Sequence, residues 1–376
     1  MLYRDFQDLK LSALGLGCMR LPVVDGNDSV IDQEATNAMV DEALAAGINY
    51  FDTAYMYHGG TSEAAIGKAL ARHPRESFCL ASKFPGYEVA KFENKEAIFE
   101  EQLSRCGVEY FDFYLMHNVS ERSVEWFMSE EYGLLDYLLE QKAKGRIKHL
   151  GFSTHGSLGM IRRFLDYCGD RIEFCQIQLN WLDWTFQNAA EKVDILNERG
   201  IPVWVMEPVR GGKLAKLSDE RAAKLAALRP DETAPGWCFR FLQSVPGVTM
   251  VLSGMSNMQQ LRDNIATFAE DKPLSSEEMA ALLSIGEEMG RSLELPCTAC
   301  RYCVEGCPAG LEIPALLKVY NENCLTGTPV SDAAKAEIPE FHGPANCIAC
   351  RKCESVCPQQ IRIAAVMADF AGKLEK

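Results

Sequence analysis

The chain has 376 residues, of which 47% are hydrophobic, enough for one large domain of about 250–300 residues plus a smaller one and too apolar for general disorder. It carries 53 Asp+Glu against 38 Lys+Arg for a net charge of −15, a balance that argues against free nucleic acid and anionic membrane surfaces as partners. No stretch approaches the roughly 18 apolar residues of a membrane span, and the charged amino terminus MLYRDFQDLK is unlike a signal peptide, so a cytoplasmic protein is expected.

In chain order, β-rich apolar runs occupy Leu14–Met19, Asn49–Thr53, Phe78–Lys83, Phe111–His117, His149–Thr154, Phe174–Asn180, Pro202–Glu207 and Val248–Ser253. Between them lie segments of helical period, including Glu34–Ala46, Ser62–Arg72, Ala97–Gly107 and Ala189–Arg199. Gly47, Gly145 and Gly200 stand where helices end. Eight alternations over the first 290 residues predict a (β/α)8 TIM barrel, with a doubly wound open sheet as the alternative. A helical stretch around 275–290 and Pro296 then mark a boundary, giving a barrel over 1–290 and a second domain over 291–376. That second part holds 9 Lys+Arg and 10 Asp+Glu, so nearly all of the net charge belongs to the barrel.

Eight of the 15 cysteines form two motifs near the carboxyl end, Cys297, Cys300, Cys303, Cys307 and Cys347, Cys350, Cys353, Cys357. Each reads C-x2-C-x2-C-x3-C-P, the spacing of bacterial two-cluster ferredoxins, in which the fourth cysteine of each motif serves the other cluster. The expectation is a small, mainly helical, ferredoxin-like domain with two 4Fe–4S clusters. One would be held by Cys297, Cys300, Cys303 and Cys357, the other by Cys347, Cys350, Cys353 and Cys307. Structural zinc favours paired knuckles without a third cysteine at this step. A disulfide framework suits short secreted chains rather than this one, and the remaining cysteines read as small buried hydrophobes. Arg301, Arg351 and Lys352 lie inside the motif loops, where cations favour a reduced cluster.

Polar residues sit at the carboxyl ends of successive strands: Asp52, then Tyr57 just beyond, Lys83 and His117. Barrel active sites form at that face. An ammonium beside a phenol stabilises the phenolate, so Lys83 next to Tyr57 makes a usable proton donor, with Asp52 orienting Lys83 and His117 binding a substrate oxygen.

The run Phe51-Asp-Thr-Ala-Tyr-Met-Tyr57 followed by Ser62-Glu63, with Ala81-Ser-Lys83 and Leu115-Met-His117, resembles the aldo-keto reductases over about the first 270 residues. The resemblance implies an Asp52, Tyr57, Lys83, His117 tetrad and a nicotinamide cofactor, NADP or NAD, bound without a Rossmann fold. It further implies cofactor contacts from Gly17, Cys18 and Met19, from Ser153 and Gln176 to the carboxamide, and from Gly211, Gly212 and Lys213 over the pyrophosphate. At the adenosine end it implies Ser253, Gly254, Gln260, Asp263 and Asn264. Three departures stand out. Met206 replaces the Tyr that stacks on the nicotinamide in many members, Thr154 replaces an Asn after Ser153, and Gly254 and Gln260 replace the cations that clamp a 2′-phosphate. Arg262 is the candidate substitute for those cations. Trp181 and Trp184 either wall the substrate pocket or pack between helices.

The expected activity is hydride transfer between NAD(P)H and a small-molecule carbonyl or alcohol, with Tyr57 as proton donor. Two alternatives concern the clusters. In one the protein is an electron-transfer module serving a barrel-bound cofactor such as a flavin, or a redox partner protein. In the other the clusters are structural or redox-sensing.

Overall fold

The structure, a computed structural model, describes residues 1–291, 295–326 and 342–374. The chain divides into two compact units, Met1–Leu283 and Ser284–Lys376, the division falling within the helix Ser276–Arg291.

The first unit opens with an antiparallel hairpin, β1 (Tyr3–Phe6) and β2 (Leu9–Ser12), turned at Gln7 with φ +52°. Eight parallel strands then close a barrel: β3 (Leu14–Gly17), β4 (Tyr50–Asp52), β5 (Cys79–Phe84), β6 (Phe111–Val119), β7 (Ile147–Thr154), β8 (Phe174–Gln178), β9 (Val203–Met206) and β10 (Val248–Ser253). Each pairs with its chain neighbour, and β10 pairs with β3, Val251 opposite Leu14, to complete the ring. Helices follow the strands on the outside, among them Gln33–Ala45, Ser62–Leu70, Lys95–Cys106 and Ala189–Glu198. Several ends follow from single residues: Asp32 and Ser157 accept N-terminal backbone N–H groups, and Gly107 closes a helix at φ +64°. The eight strands of the TIM barrel are therefore the eight apolar runs of the sequence.

Strand alternation decides where chemistry can sit. Side chains two apart on a strand share a face, so one strand carries an apolar residue low in the barrel and a polar one at its carboxyl end. Tyr50 precedes Asp52, Ala81 precedes Lys83, Phe113 and Leu115 precede His117, and Phe174 precedes Gln176. The lower members form a buried aromatic floor of Tyr50, Phe113, Phe174, Trp204 and Met250. Phe6 of the hairpin plugs this floor from beneath, its ring 5.0 Å from Trp204 and 5.1 Å from His149. The hairpin was not evident in the sequence.

The tail is mainly helical, as its motifs imply. Helices Tyr302–Glu305 and Ile313–Thr326 follow the first cysteine motif; Lys352–Ser355 and Ile363–Leu374 follow the second. The two halves repeat position for position. Ala299 and Arg301 are left-handed at φ +55° and +68°, and their counterparts Ala349 and Arg351 at +52° and +60°. Leu311, Ile313, Leu317 and Tyr320 pack in one buried core with their counterparts Ile361, Ile363, Met367 and Phe370. The equivalent Tyr320 and Phe370 meet edge to face at 5.6 Å.

Candidate active site and cysteine cavities

At the carboxyl rim of the barrel, Lys83 ends β5 buried, its ammonium in a salt bridge with the equally buried Asp52 of β4. The same Nζ donates to the Thr53 carbonyl at 2.8 Å and to the Tyr57 hydroxyl at 3.4 Å. Three acceptors around one ammonium fix its position. Asp52 Oδ2 is buried and has no hydrogen-bond partner. Burial pushes the Asp52 carboxyl up, against the pull of Lys83.

A second layer explains the Asp-Thr and Ser-Glu pairs. Thr53 Oγ1 meets Ser62 Oγ at 2.9 Å, and Ser62 reaches the Cys18 carbonyl at 3.0 Å, tying the loop after β4 to the loop after β3. Glu63, fully buried, accepts from Ser82 and from Gln102, each at 2.6 Å. Gln102 also donates to the Lys83 carbonyl at 3.0 Å. Lys83 is thus held from both its backbone and its tip.

His117 faces Tyr57 edge-on, ring centroids 6.0 Å apart. Burial, helped by the charges of Lys83 and His155, holds its imidazole well below the usual range, so it is neutral near pH 7. The Tyr87 hydroxyl lies 3.2 Å from its Nε2. Tyr87 was missed in the sequence because it belongs to a loop with no motif around it. Directly after His117 comes a β-bulge: Met116 pairs with Phe152 and Val119 with Thr154, leaving one extra residue on β6. The bulge puts Asn118 at φ +53°, and its N–H donates to Ser153 Oγ at 2.9 Å.

Of the other predicted positions, Ser153 and Gln176 stand opposite each other on β7 and β8, and Gln176 Oε1 is buried without a partner. Asn118 Oδ1 is a second buried acceptor without a partner. Thr154, in the place of the expected Asn, instead donates to the Val119 carbonyl at 2.6 Å. Met206 ends β9, and Gly211 and Gly212 turn the next loop at φ +63° and +91°, ahead of Lys213. Gly17 approaches Ser253, where a Cβ would stand 3.3 Å from its carbonyl oxygen, while Cys18 is fully buried with its thiol aimed at the Leu16 carbonyl. Met19 lies in the short turn Cys18–Arg20.

Among the residues expected to face an adenosine, Ser253 Oγ accepts from Asn264, which is therefore engaged within the protein. Gln260 accepts the Ser256 N–H at 2.8 Å, and Asp263 accepts from Gln259. The aliphatic stem of Arg20 lies over Gly254, 3.1–3.2 Å from where a Cβ would be. Arg262 is bound to Glu42 at 2.6 and 2.9 Å. Both tryptophans pack inside the protein: Trp181 is 1% exposed and donates to Cys238 Sγ at 3.2 Å, and Trp184 stands edge-on to Phe241 at 5.5 Å.

In the tail, Cys297, Cys300, Cys303 and Cys357 line one cavity. Cys307, Cys347, Cys350 and Cys353 line a second. Each motif thus contributes its fourth cysteine to the cavity of the other. The Leu311 N–H points at Cys307 Sγ, 3.5 Å away. Burial, with Glu354 and the neighbouring cysteines adding to it, pushes the Cys353 thiol up to about 11.

A closed barrel with an ammonium shared between a carboxylate and a phenol at its carboxyl rim has the parts for proton transfer, and comparison with known proteins gives the family. The chain belongs to the aldo/keto reductase family, which it matches over residues 13–287, and it matches a 4Fe-4S dicluster domain over residues 296–361. It is 33% identical to the probable aldo-keto reductase 1 of Glycine max over 215 residues, 55% of this chain and 58% of that protein. It is 25% identical to the NADH-specific methylglyoxal reductase of Escherichia coli (strain K12) over 327 residues, 76% of this chain and 97% of that one. Among solved structures, the holo form of aldo-keto reductase AKR11C1 from Bacillus halodurans superimposes with a TM-score of 0.62 at 26% identity, covering 76% of this chain and 96% of that one. The Klebsiella pneumoniae aldo/keto reductase in complex with NADP and acetate, at 20% identity and a TM-score of 0.58, shares the fold. Among the described residues no helix is long and apolar enough to cross a membrane.

Proposed function

We propose that the barrel interconverts a small carbonyl compound and its alcohol using NADH or NADPH, with Tyr57 as the proton donor. The observation that carries this reading is the single ammonium of Lys83 shared among Asp52, the Thr53 carbonyl and the Tyr57 hydroxyl. Bound nicotinamide supplies or accepts the hydride. The residues of the chain do the rest. Tyr57 gives its proton to the carbonyl oxygen as that oxygen gains charge, and Lys83 stabilises the phenolate left behind. Asp52 and the Thr53 carbonyl hold Lys83 in place. His117, neutral, offers a ring nitrogen to the same oxygen, with the Tyr87 hydroxyl within 3.2 Å of Nε2 and 3.4 Å of Nδ1.

The fit of a nicotinamide rests on two orphaned acceptors. Gln176 Oε1 and Asn118 Oδ1 are buried, unpartnered and adjacent to Ser153, an arrangement that a carboxamide NH2 would satisfy. Asn118 then does what the missing Asn at 154 does elsewhere in the family. The loop of Gly211, Gly212 and Lys213 is the proposed pyrophosphate cover, with Ser253 and its neighbours at the adenosine end. The Escherichia coli relative, an NADH-specific enzyme, points the same way.

For the tail we propose two 4Fe–4S clusters, one in each cysteine-lined cavity. Four cysteines line each cavity, three from one C-x2-C-x2-C run and the fourth from the other motif, a ligand set that suits a cubane cluster rather than the paired knuckles of structural zinc. The thiolates of the two motifs would hold the clusters crosswise, and the clusters would supply one-electron transfer there. The described cysteines are all unbridged, as in a reducing, cytoplasmic setting.

Replacing Tyr57 by Phe tests the barrel reading. Turnover with a broad aldehyde panel should fall about 10²–10⁴-fold, while the nicotinamide dissociation constant, read by fluorescence quenching, stays put. Turnover near the wild-type level in that variant would refute it.

A further inference from the structure

The two halves of the tail are equivalent in backbone but not in surface. At the position after the first cysteine the first half has Thr298, 1% exposed, and the second has Ile348, 66% exposed. Ile348 also lines the second cavity, beside Cys350, which is itself exposed, whereas its counterpart Cys300 is half-buried.

Charge diverges in the same direction. Arg301 is neutralised by Glu312, their nearest atoms 3.0 Å apart. Its counterpart Arg351 has no such partner, because the position equivalent to Glu312 is Arg362. Tyr302 corresponds to Lys352 and Glu305 to Ser355. The one acid gained, Glu354, is turned inward, accepting the Ala364 N–H at 2.9 Å. Arg351, Lys352 and Arg362 are all exposed, and among the described residues none has an ion-pair partner. Arg351 lines the second cavity with Ile348, and Arg362 stands at the position equivalent to the Glu312 that meets Arg301 in the first half. In a protein of net −15, the described residues thus gather cations about an exposed isoleucine at the second cavity.

We propose that this face, Ile348 ringed by Arg351, Lys352 and Arg362, is the docking site for a small acidic iron–sulfur carrier protein, through which the second cluster exchanges electrons. The inference rests on the clusters proposed above. In the exchange one electron leaves the reduced carrier and enters the oxidised cluster next to Cys350; the carrier is oxidised by one unit, the cluster is reduced by one, and no bond is made or broken. An apolar contact at the centre excludes water, and the cationic rim steers an acidic partner. The first cavity, lined by the buried Thr298 and the neutralised Arg301, offers neither feature.

The test is anaerobic stopped-flow reduction of the full-length holoprotein by a reduced plant-type 2Fe–2S ferredoxin, an acidic carrier, with dithionite as a non-docking reductant. In Arg351→Glu/Lys352→Glu and, separately, in Arg362→Glu, the second-order rate with ferredoxin at low ionic strength should fall tenfold or more. It should converge on wild type near 0.5 M salt, where charges are screened. Ile348→Asp should slow the reaction at both ionic strengths. Iron content, the reduced-cluster EPR signal and the dithionite rate should be unchanged, and Lys144→Glu on the barrel is the matched charge control. Equal ferredoxin rates in iron-replete variants and wild type would overturn the docking site. Wild-type protein prepared without oxygen and lacking iron would instead overturn the cluster reading. Arg362→Glu, which alters no residue between cluster cysteines, decides the matter should the double variant lose iron.

Discussion

Removing the ammonium of Lys83 is the most demanding perturbation the rim offers, because the salt bridge with Asp52 is sealed from water: their side chains are 1% and 4% exposed. Lys83→Met leaves a buried carboxylate alone, and breaking a buried pair from one side costs about 3–5 kcal/mol. For a domain of this size that lowers the melting temperature by on the order of 10 °C. Asp52→Asn/Lys83→Met removes both charges and should recover most of the loss. The single variant should also acquire a new pH dependence. Burial already pushes Asp52 up, and without Lys83 nothing opposes it. A carboxyl whose folded pKa exceeds its unfolded value stabilises the protein below the unfolded value, and that contribution is lost as pH rises through the folded one. Measured as a difference from wild type, the destabilisation of Lys83→Met should therefore be smallest near pH 5 and largest near pH 8, with the difference for the double variant constant between them. All five tryptophans precede residue 284, so their fluorescence follows barrel unfolding alone. A double variant as unstable as the single one, with the difference from wild type independent of pH in both, would refute the coupling.

The imidazoles set the acid limit. His117 lies well below its usual range and His155, buried near Lys192, is held at about 3. Both fold as neutral rings, so their stabilisation is complete above about pH 6.5 and is lost as pH falls. Two protons taken up only by the unfolded chain give a slope of about 2.7 kcal/mol per pH unit below that point. His155→Gln should halve the slope in urea titrations between pH 6 and 4.5, and an unchanged slope would remove His155 from the account. In the tail, Cys357→Ala should spoil the cluster of the first motif and Cys307→Ala that of the second, which EPR with selective partial reduction distinguishes; the reverse assignment would dismiss crosswise ligation. Anaerobic NADH or NADPH added to the holoprotein should leave the cluster absorbance unbleached, since a two-electron donor exchanges poorly with one-electron centres; rapid bleaching would favour the electron-transfer alternative over an independent carbonyl reductase.

The barrel was legible because the strands are short apolar runs, most of them carrying a polar residue near the carboxyl end, and the tetrad because it falls at or just beyond consecutive strand ends. The hairpin was not, because Tyr3–Phe6 and Leu9–Ser12 are four-residue strands interrupted by Arg4, Asp5 and Lys10; only its tertiary contact through Phe6 makes it a unit. Tyr87 and Asn118 escaped for another reason. Neither sits on a regular periodicity: one belongs to a loop, the other to a bulge that the sequence does not announce, although Asn is among the residues that tolerate a positive φ. The packing of the buried Trp181 and the half-buried Trp184 likewise depends on Cys238 and Phe241, each 57 residues onward.

The hairpin has a bearing on how the protein can be trimmed. The stretch shared with the family begins at residue 13, so a truncation drawn there would discard both strands and, with them, Phe6 and Leu11. Tyr50, Phe113, Phe174 and Trp204 would then face water from below, an aromatic pit with no lid. Losing Phe6 alone forfeits about 1.5–3 kcal/mol of burial, and the opened pit is sticky enough to recruit a second molecule. The twelve leading residues are, in effect, the cork of the vessel, and the family boundary passes just inside it.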